Sequence, residues 1–463
     1  METIPAYEIA TATDSKIVQT AVPVIKKDRF VILDCIRGIA LLGILIMNIT
    51  SQSQPHFFYD SMNLNQPLTG PNFYVWAIMR FFFEGTMRGL FSILFGAGAI
   101  LLLMKLEKQK EGLEPADIYY RRMLWLLVFG LINAFVLLWP GDILYPYAIA
   151  GLLLFPFRNW SYQKLLCGAL FFLAIATYKE NSSLKEDKET ITKGRIAESL
   201  DSQKKTLTGE QKEDLGKWKT FKERSTAEGM MKEADKELKK VQGKSYLDIF
   251  RYYRDIIMRR QSFGVYNFSF WDTMIFFFIG MALFKTGFIM GKSNKYLYVA
   301  IAVVGIGVGL TMNYFVLQDD YYNRFDYLKI VEKLYFNHYE IRRVFQTLGY
   351  LSLLILMYKF IPFKKVMNIF APVGQMAFTN YLMQSIITSV IFYGFAYYGK
   401  LQRYEIYYIV AAIWVFQLVF SAVWLRYFSF GPFEWIWRSL TYQRFQPFRK
   451  PRQEKIFAEY SLT

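Results

Sequence analysis

The chain has 463 residues, of which 54% are hydrophobic and 19% aromatic, and it carries a formal charge of +17. A soluble chain of this length divides into two or three domains, but here the apolar residues gather into blocks of about 20, enough to cross a ~30 Å hydrocarbon layer at 1.5 Å per residue. The charge does not mark a nucleic-acid binder, because Lys and Arg cluster beside the apolar blocks, and the two cysteines, Cys35 and Cys167, argue against a disulfide framework and lack zinc-site spacing.

Residues 1–28 read as a polar tail without the pattern of a cleaved signal, so the first apolar helix would serve as an uncleaved one. Helices are predicted at about 30–51, 73–104, 118–138, 143–158, 162–178, 268–289, 296–316, 340–361, 367–396 and 405–427. Within them, Ile39–Ile49 and Tyr298–Val316 contain no charge. The block at 73–104 is too long for one straight span, and Gly85 beside Glu84 points to an interfacial helix followed by a span. The block at 143–158 is short, which suits a tilted or re-entrant hairpin.

The fold class is therefore all-α: a polytopic transmembrane bundle of about ten helices with a polar helical extracytoplasmic insert. Its organisation reads as a cytoplasmic tail (1–28), an N-terminal bundle (29–178), a charged insert with an interfacial helix (179–265), a C-terminal bundle (266–430) and a basic tail (431–463). Orientation follows from the cations. Lys26, Lys27 and Arg29 precede the first helix, and Lys105, Lys108, Lys110, Arg121 and Arg122 follow the second. Arg158, Lys164, Lys292, Lys295, Lys359, Lys364, Lys365 and Arg438 fill the later alternate loops. Both termini are thus expected in the cytoplasm of a bacterial inner-membrane protein. The polar stretch 179–245 would lie outside as a solvated helical hairpin, with partner binding as the sharper alternative. After it, Tyr246–Arg260 alternates aromatics with arginines, as a helix in the membrane interface does.

Ionisable groups inside apolar blocks are costly and mark candidate sites. Asp34 and Arg37 share a face at the start of the first helix, as an orienting pair or part of a site. Arg80, Glu84 and Arg88, spaced by four, present cation, anion and cation on one face. They form either an ion network between helices or a polar cavity for an anionic substrate. Leu90–Gly98 mixes small and large residues, the composition of close helix packing. Asp142, in Trp139-Pro-Gly-Asp-Ile-Leu144, caps the next helix or faces a site. Asn380 and Gln384, with Thr379 and Ser385, suit interhelical hydrogen bonds or a cavity lining. Two histidines occur, His56 and His338, both expected in loops. No Ser/His/Asp spacing, HExxH or Walker loop is present, so neither a cofactor nor a metal is predicted.

Arg29-x3-Leu33-Asp34-x2-Arg37-Gly38-x-Ala40-Leu41-Leu42-Gly43-Ile44-Leu45-x2-Asn48 resembles the opening of the YeiB-like bacterial membrane proteins, the DUF418 family of unknown function. Phe83-Glu84-Gly85, Leu90-Phe91-Ser92-x-Leu94-Phe95-Gly96-x-Gly98 and Gly141-Asp142-Ile143-Leu144-x2-Tyr147-Ala148 continue the resemblance. Gly374-x-Met376-Ala377-x-Thr379-Asn380-Tyr381-x2-Gln384-Ser385 and Gly431-Pro432-x-Glu434-Trp435-x-Trp437-Arg438 complete it. A loose relation to transmembrane acyltransferases goes with this likeness and implies an intramembrane histidine as base. Here Asn133 stands where that histidine is expected, and an amide takes no proton at neutral pH.

Three functions are weighed: handling or transport of a small molecule or lipid, acyl transfer to an outer acceptor, and a non-catalytic assembly or sensing role. The candidate binding residues are Asp34, Arg37, Asn48, Arg80, Glu84, Arg88, Asp142, Asn380 and Gln384. Glu84, Asp142 or His56 would supply the base of an acyltransferase, with acyl-CoA as its donor. Membrane lipids and an unidentified small molecule are the expected partners, and a homodimer is a candidate assembly.

Overall fold

The computed structural model describes residues 30–450 apart from 60, 65 and 66. The expected tail at 1–28, its cations Lys26 and Lys27, Arg29, and the basic tail beyond 450 lie outside the described residues.

The described chain is helical throughout, with one isolated bridge between Phe428 and Arg449. The helices of its first half are α1 (Val31–Ser53), α2 (Pro71–Phe82), α3 (Thr86–Gln109), α4 (Glu114–Phe135), α5 (Leu144–Leu152) and α6 (Tyr162–Ser202). Next come α7 (Gly209–Ser225), α8 (Ala227–Val241), α9 (Tyr246–Arg259), α10 (Phe270–Lys285), α11 (Lys295–Tyr322) and α12 (Tyr327–Lys333). The last are α13 (Tyr339–Lys359), α14 (Ile361–Met367), α15 (Ala371–Gln375), α16 (Ala377–Ser389), α17 (Arg403–Tyr427) and α18 (Pro432–Tyr442).

Five stretches are long and apolar enough to cross a membrane: Val31–Ser53, Pro71–Gln109, Tyr246–Lys285, Lys295–Tyr322 and Arg403–Tyr427. A sixth arises if α13 and the segment Ile361–Gln375, bent by 110° from it, count as one. Every one of the ten predicted ranges contains helix. Four of them fall short as independent spans, for identifiable reasons. α5 and α16 have 9 and 13 residues, and α4 and α6 carry Arg121, Arg122, Lys164 and Lys179 at the edges of their apolar runs.

Local chemistry sets the boundaries. Ser161, Thr208, Thr226, Ser245, Asn294 and Asp326 each cap the helix that follows with a side-chain oxygen. Gly85, at φ +68°, separates α2 from α3 in a conformation that L side chains resist. α11 and α13 cross with Gly305 and Gly349 in backbone contact, so a methyl group on either would strike the other helix.

The insert differs from the expected hairpin in its entry and exit. α6 continues for 41 residues straight out of its apolar run, α7 folds back beside it, and α8 packs against α7 and α9. The expected interfacial helix, α9, is amphipathic, burying Ile249, Tyr253 and Ile257 at helical spacing. It does not end there: a π-helical stretch, Arg260–Ser269, carries it on into α10 as one run of 40 residues.

The alternation of the chain is visible at both ends. Away from the insert, Lys285 Nζ donates to the Arg158 and Trp160 carbonyls, and Lys359 Nζ to that of Gly291. At the insert end, the Gly399 amide donates to the Ser53 carbonyl and Tyr246 Oη to that of Val136. Lys105, Lys164, Lys285, Lys295 and Lys359 therefore gather at one end of the bundle.

Candidate functional site

A cavity of about 810 Å³ lies between the bundle and the insert, lined from every layer of the fold. Asn48 and His56 reach it from the end of α1 and just beyond, Arg80, Glu84 and Arg88 from the α2–α3 break, and Glu180 from α6. Arg224 and Met230 come from the insert, Arg260 from the π-helical stretch, and Asp319, Asp320, His338 and Arg342 from the far wall.

Twenty residues separate Lys105 from Gly85 on α3, Lys285 from Val265 on the α10 run, and Lys359 from Tyr339 on α13. At 1.5 Å per residue that is about 30 Å, the thickness of a hydrocarbon core. The lysines and the cavity floor are thus separated by about the thickness of one hydrocarbon layer.

The floor is an ion network. Arg80 donates to Glu84 at 2.5 Å and lies 3.4 Å from Asp320. Glu84 also accepts from Arg342 at 3.1 Å, and Arg342 donates to Asn313 at 2.8 Å. A second set joins Arg88 and Arg343 to Asp272 at 2.9 and 2.7 Å, with Glu340 2.9 Å from Arg343. Arg343 is 1% exposed, so its neutralisation by two carboxylates is what makes its burial tolerable. It also donates to the Gly85 carbonyl at 3.3 Å.

The expected cation–anion–cation face is divided by this geometry. The left-handed turn at Gly85 rotates α3 against α2, so Glu84 is shared by Arg80 and Arg342 while Arg88 turns to Asp272. At the upper wall, His56 Nδ1 sits 2.7 Å from Glu237 Oε2. Glu237, 1% exposed, also accepts from the Tyr398 and Tyr253 hydroxyls at 2.7 and 3.1 Å. Burial alone would raise this carboxyl, but hydrogen bonds and charge from His56, with help from Tyr398, outweigh it and hold the group below the usual glutamate range.

Among the described residues, Arg224 and Arg260 at the cavity mouth have no carboxylate within ion-pair distance, unlike the three arginines of the floor and wall.

Of the residues singled out in the sequence, Asn48, His56, Arg80, Glu84 and Arg88 come together here. The others lie elsewhere. Arg37 donates to Asp34 at 2.9 Å at the cationic end and lines a second, smaller cavity. Asp142 is buried, accepting from Asn133 at 2.7 Å, the Tyr145 amide at 2.9 Å and Tyr381 at 3.4 Å. It holds the start of α5, with Asn133 as its direct partner. Asn380 donates to Ser421 at 2.9 Å and Gln384 to Gln417 at 3.0 Å, amide pairs that stitch α16 to α17 and line neither cavity. Asp272, Glu340, Arg342, Arg343, Asp320, Glu180 and Glu237 were not singled out. A signal existed for some: Asp272 sits alone in an apolar run, and Glu340 and Arg343 stand three apart at the head of another. Among the described residues no group of His, Cys, Asp and Glu could hold a metal ion.

Comparison with known proteins places this geometry among uncharacterised relatives. A family model described as a protein of unknown function, DUF418, matches residues 283–444. The chain is 30% identical over 447 residues to the uncharacterized protein YxaH of Bacillus subtilis (strain 168), covering 92% of this chain and 98% of that one. It is 29% identical over 419 residues to the uncharacterized protein YeiB of Escherichia coli (strain K12), covering 89% and 96%. No solved structure matches.

Proposed function

This chain belongs to the DUF418 family, whose description names no activity, so its own geometry carries the reading: we propose that it captures a small anionic molecule, or a lipid with an anionic headgroup, in the insert-side cavity and handles it for transport. The observation that carries this is the pair Arg224 and Arg260, with no carboxylate partner among the described residues, at the mouth of a cavity whose deeper arginines are already neutralised. The fixed floor keeps the wall rigid, and the mouth arginines supply charge-assisted hydrogen bonds to an incoming anion. In this reading the protein lies in a bacterial inner membrane, with the lysine-rich end and both termini in the cytoplasm and the insert outside.

The test is reconstitution of the full chain in vesicles, with uptake and binding of labelled anions and anionic lipids measured. Arg224→Gln with Arg260→Gln should weaken binding about ten-fold or more, since a hydrogen bond to a charged group contributes about 1.5–3 kcal/mol. Correctly folded protein that neither binds nor moves any candidate defeats the proposal.

One observation favours a second reading. An imidazole held through Nδ1 by a buried carboxylate leaves Nε2 as its available base, the arrangement that general-base catalysis needs. His56 would then take the proton of an acceptor hydroxyl in the cavity as its oxygen attacks the acyl carbon of a thioester donor such as acyl-CoA, forming the ester and releasing the thiol, whose sulfur takes that proton back. Labelled acyl transfer in membranes, lost in His56→Gln and kept in Glu84→Gln, would select this reading; unchanged transfer in His56→Gln would dismiss it.

A further inference from the structure

The second cavity, about 310 Å³, opens at the opposite, lysine-rich end of the bundle and differs from the first in character. Its volume falls within the ~300–1,000 Å³ range of small-molecule sites. One face of α3 forms its back wall: Phe91, Leu94, Phe95, Gly98, Leu102 and Lys105 follow one another at helical spacing. From Lys105 to Phe91 is 14 residues, a reach of about 21 Å at 1.5 Å per residue. That is deeper than one leaflet's half of the ~30 Å layer. Tyr147, whose hydroxyl is hydrogen-bonded to Ser92 at 2.5 Å, also lines the slot.

The rim is predominantly cationic. Arg37, Lys105, Arg122 and Arg438 line it against a single carboxylate, Glu434. That carboxylate is committed elsewhere, accepting from the Phe378 and Thr379 amides at 2.7 and 3.0 Å and from the Thr379 hydroxyl. Arg37 has Asp34, but Lys105 and Arg122 have no carboxylate within ion-pair distance among the described residues. Arg122 instead stacks on Trp437, its guanidinium carbon 3.7 Å from the ring centre, which fixes its position without neutralising it. Arg122 feels the charge of Arg438 and, less strongly, that of Glu434, so two cations stand beside one carboxylate at the mouth of an apolar slot.

We propose that this slot is a phospholipid site: one acyl chain of an anionic membrane lipid runs along α3 to Tyr147, and its phosphate is held by Arg122 and Lys105. The site is independent of how the insert-side cavity is used. Its depth fits a chain that enters from the leaflet, and its rim fits a phosphate at the headgroup level.

The geometry also supplies a clean plug. A side chain added at Gly98 meets no atom within 4 Å, because the residue faces the open slot, whereas one added at Gly96 strikes the Phe277 backbone. The experiment uses the full chain in phosphatidylcholine nanodiscs, with phosphatidylglycerol carrying a photoreactive group at the end of one acyl chain. Crosslinks are expected at Phe91, Phe95 and Tyr147, displaced about ten-fold better by unlabelled phosphatidylglycerol than by phosphatidylcholine. Gly98→Leu should abolish them while leaving the unfolding temperature unchanged. Arg122→Gln with Lys105→Gln should keep the crosslinked positions but remove the headgroup preference. Equal displacement by both lipids, or crosslinks undiminished in Gly98→Leu, would overturn the assignment. Displacement by a soluble fatty-acyl thioester of coenzyme A at lower concentration than phosphatidylglycerol would overturn its membrane source.

Discussion

At the scale of single residues, the charges divide into those that hold the bundle together and those that face a ligand. Asp272 belongs to the first kind. It is 5% exposed and neutralises Arg88 and Arg343 together, so Asp272→Ala leaves a buried guanidinium short of a partner. A loss of about 3–5 kcal/mol is expected, measured as unfolding in detergent, whereas exposed Arg224→Gln should stay within about 0.5 kcal/mol. Comparable stability in the two variants would contradict this division. Glu237 adds a pH dependence. Its folded-state carboxyl is depressed because His56 and Tyr398 outweigh the effect of burial, so its contribution is fully present above the ordinary glutamate value, about 4.3, and fades as pH falls through the lower folded value. Hydrogen exchange over α8 should therefore rise on acidification below about pH 4, and Glu237→Gln should remove the step.

At the scale of elements, the apolar runs were readable because bilayer thickness imposes a length that no soluble fold demands. Their interruptions were less so. Gly85 beside Glu84 announced a break, but not that its carbonyl and missing side chain make room for Arg343, whose Nε would lie 2.4 Å from a Cβ placed there. Gly85→Ala thus combines positive φ with that collision and should destabilise by more than about 1 kcal/mol. A smaller loss would mean that α2 and α3 adjust freely. Pro362, in the first turn of α14, marks the break after α13 but not its 110° angle, and the π-helical join from α9 to α10 depends on what the helix meets in space. The site was half legible for the same reason. Arg80, Glu84 and Arg88 stand out in one segment, while Asp272, Asp320 and Arg342 arrive from three other helices. His56 was a candidate base, but its partner, Glu237, could not be read from the sequence because it is 181 residues away.

At the scale of the whole molecule, lysines at one end and the insert at the other set up an orientation experiment. With Cys35 and Cys167 replaced by Ser, a cysteine at Ser202 should react with an impermeant maleimide on intact cells, and one at Lys365 only after permeabilisation. The reverse pattern would invert the proposed topology. The same polarity governs exchange at the upper cavity. Arg224 and Met230 reach the cavity from α7 and α8, and the His56–Glu237 pair ties α8 to the chain after α1, so α7 and α8 would act as a roof with that pair as its latch. A ligand beneath such a roof leaves only as often as the roof lifts. Its residence time should then follow the latch rather than the arginines, and a mutation far from the bound anion would shorten dwell without changing what is recognised.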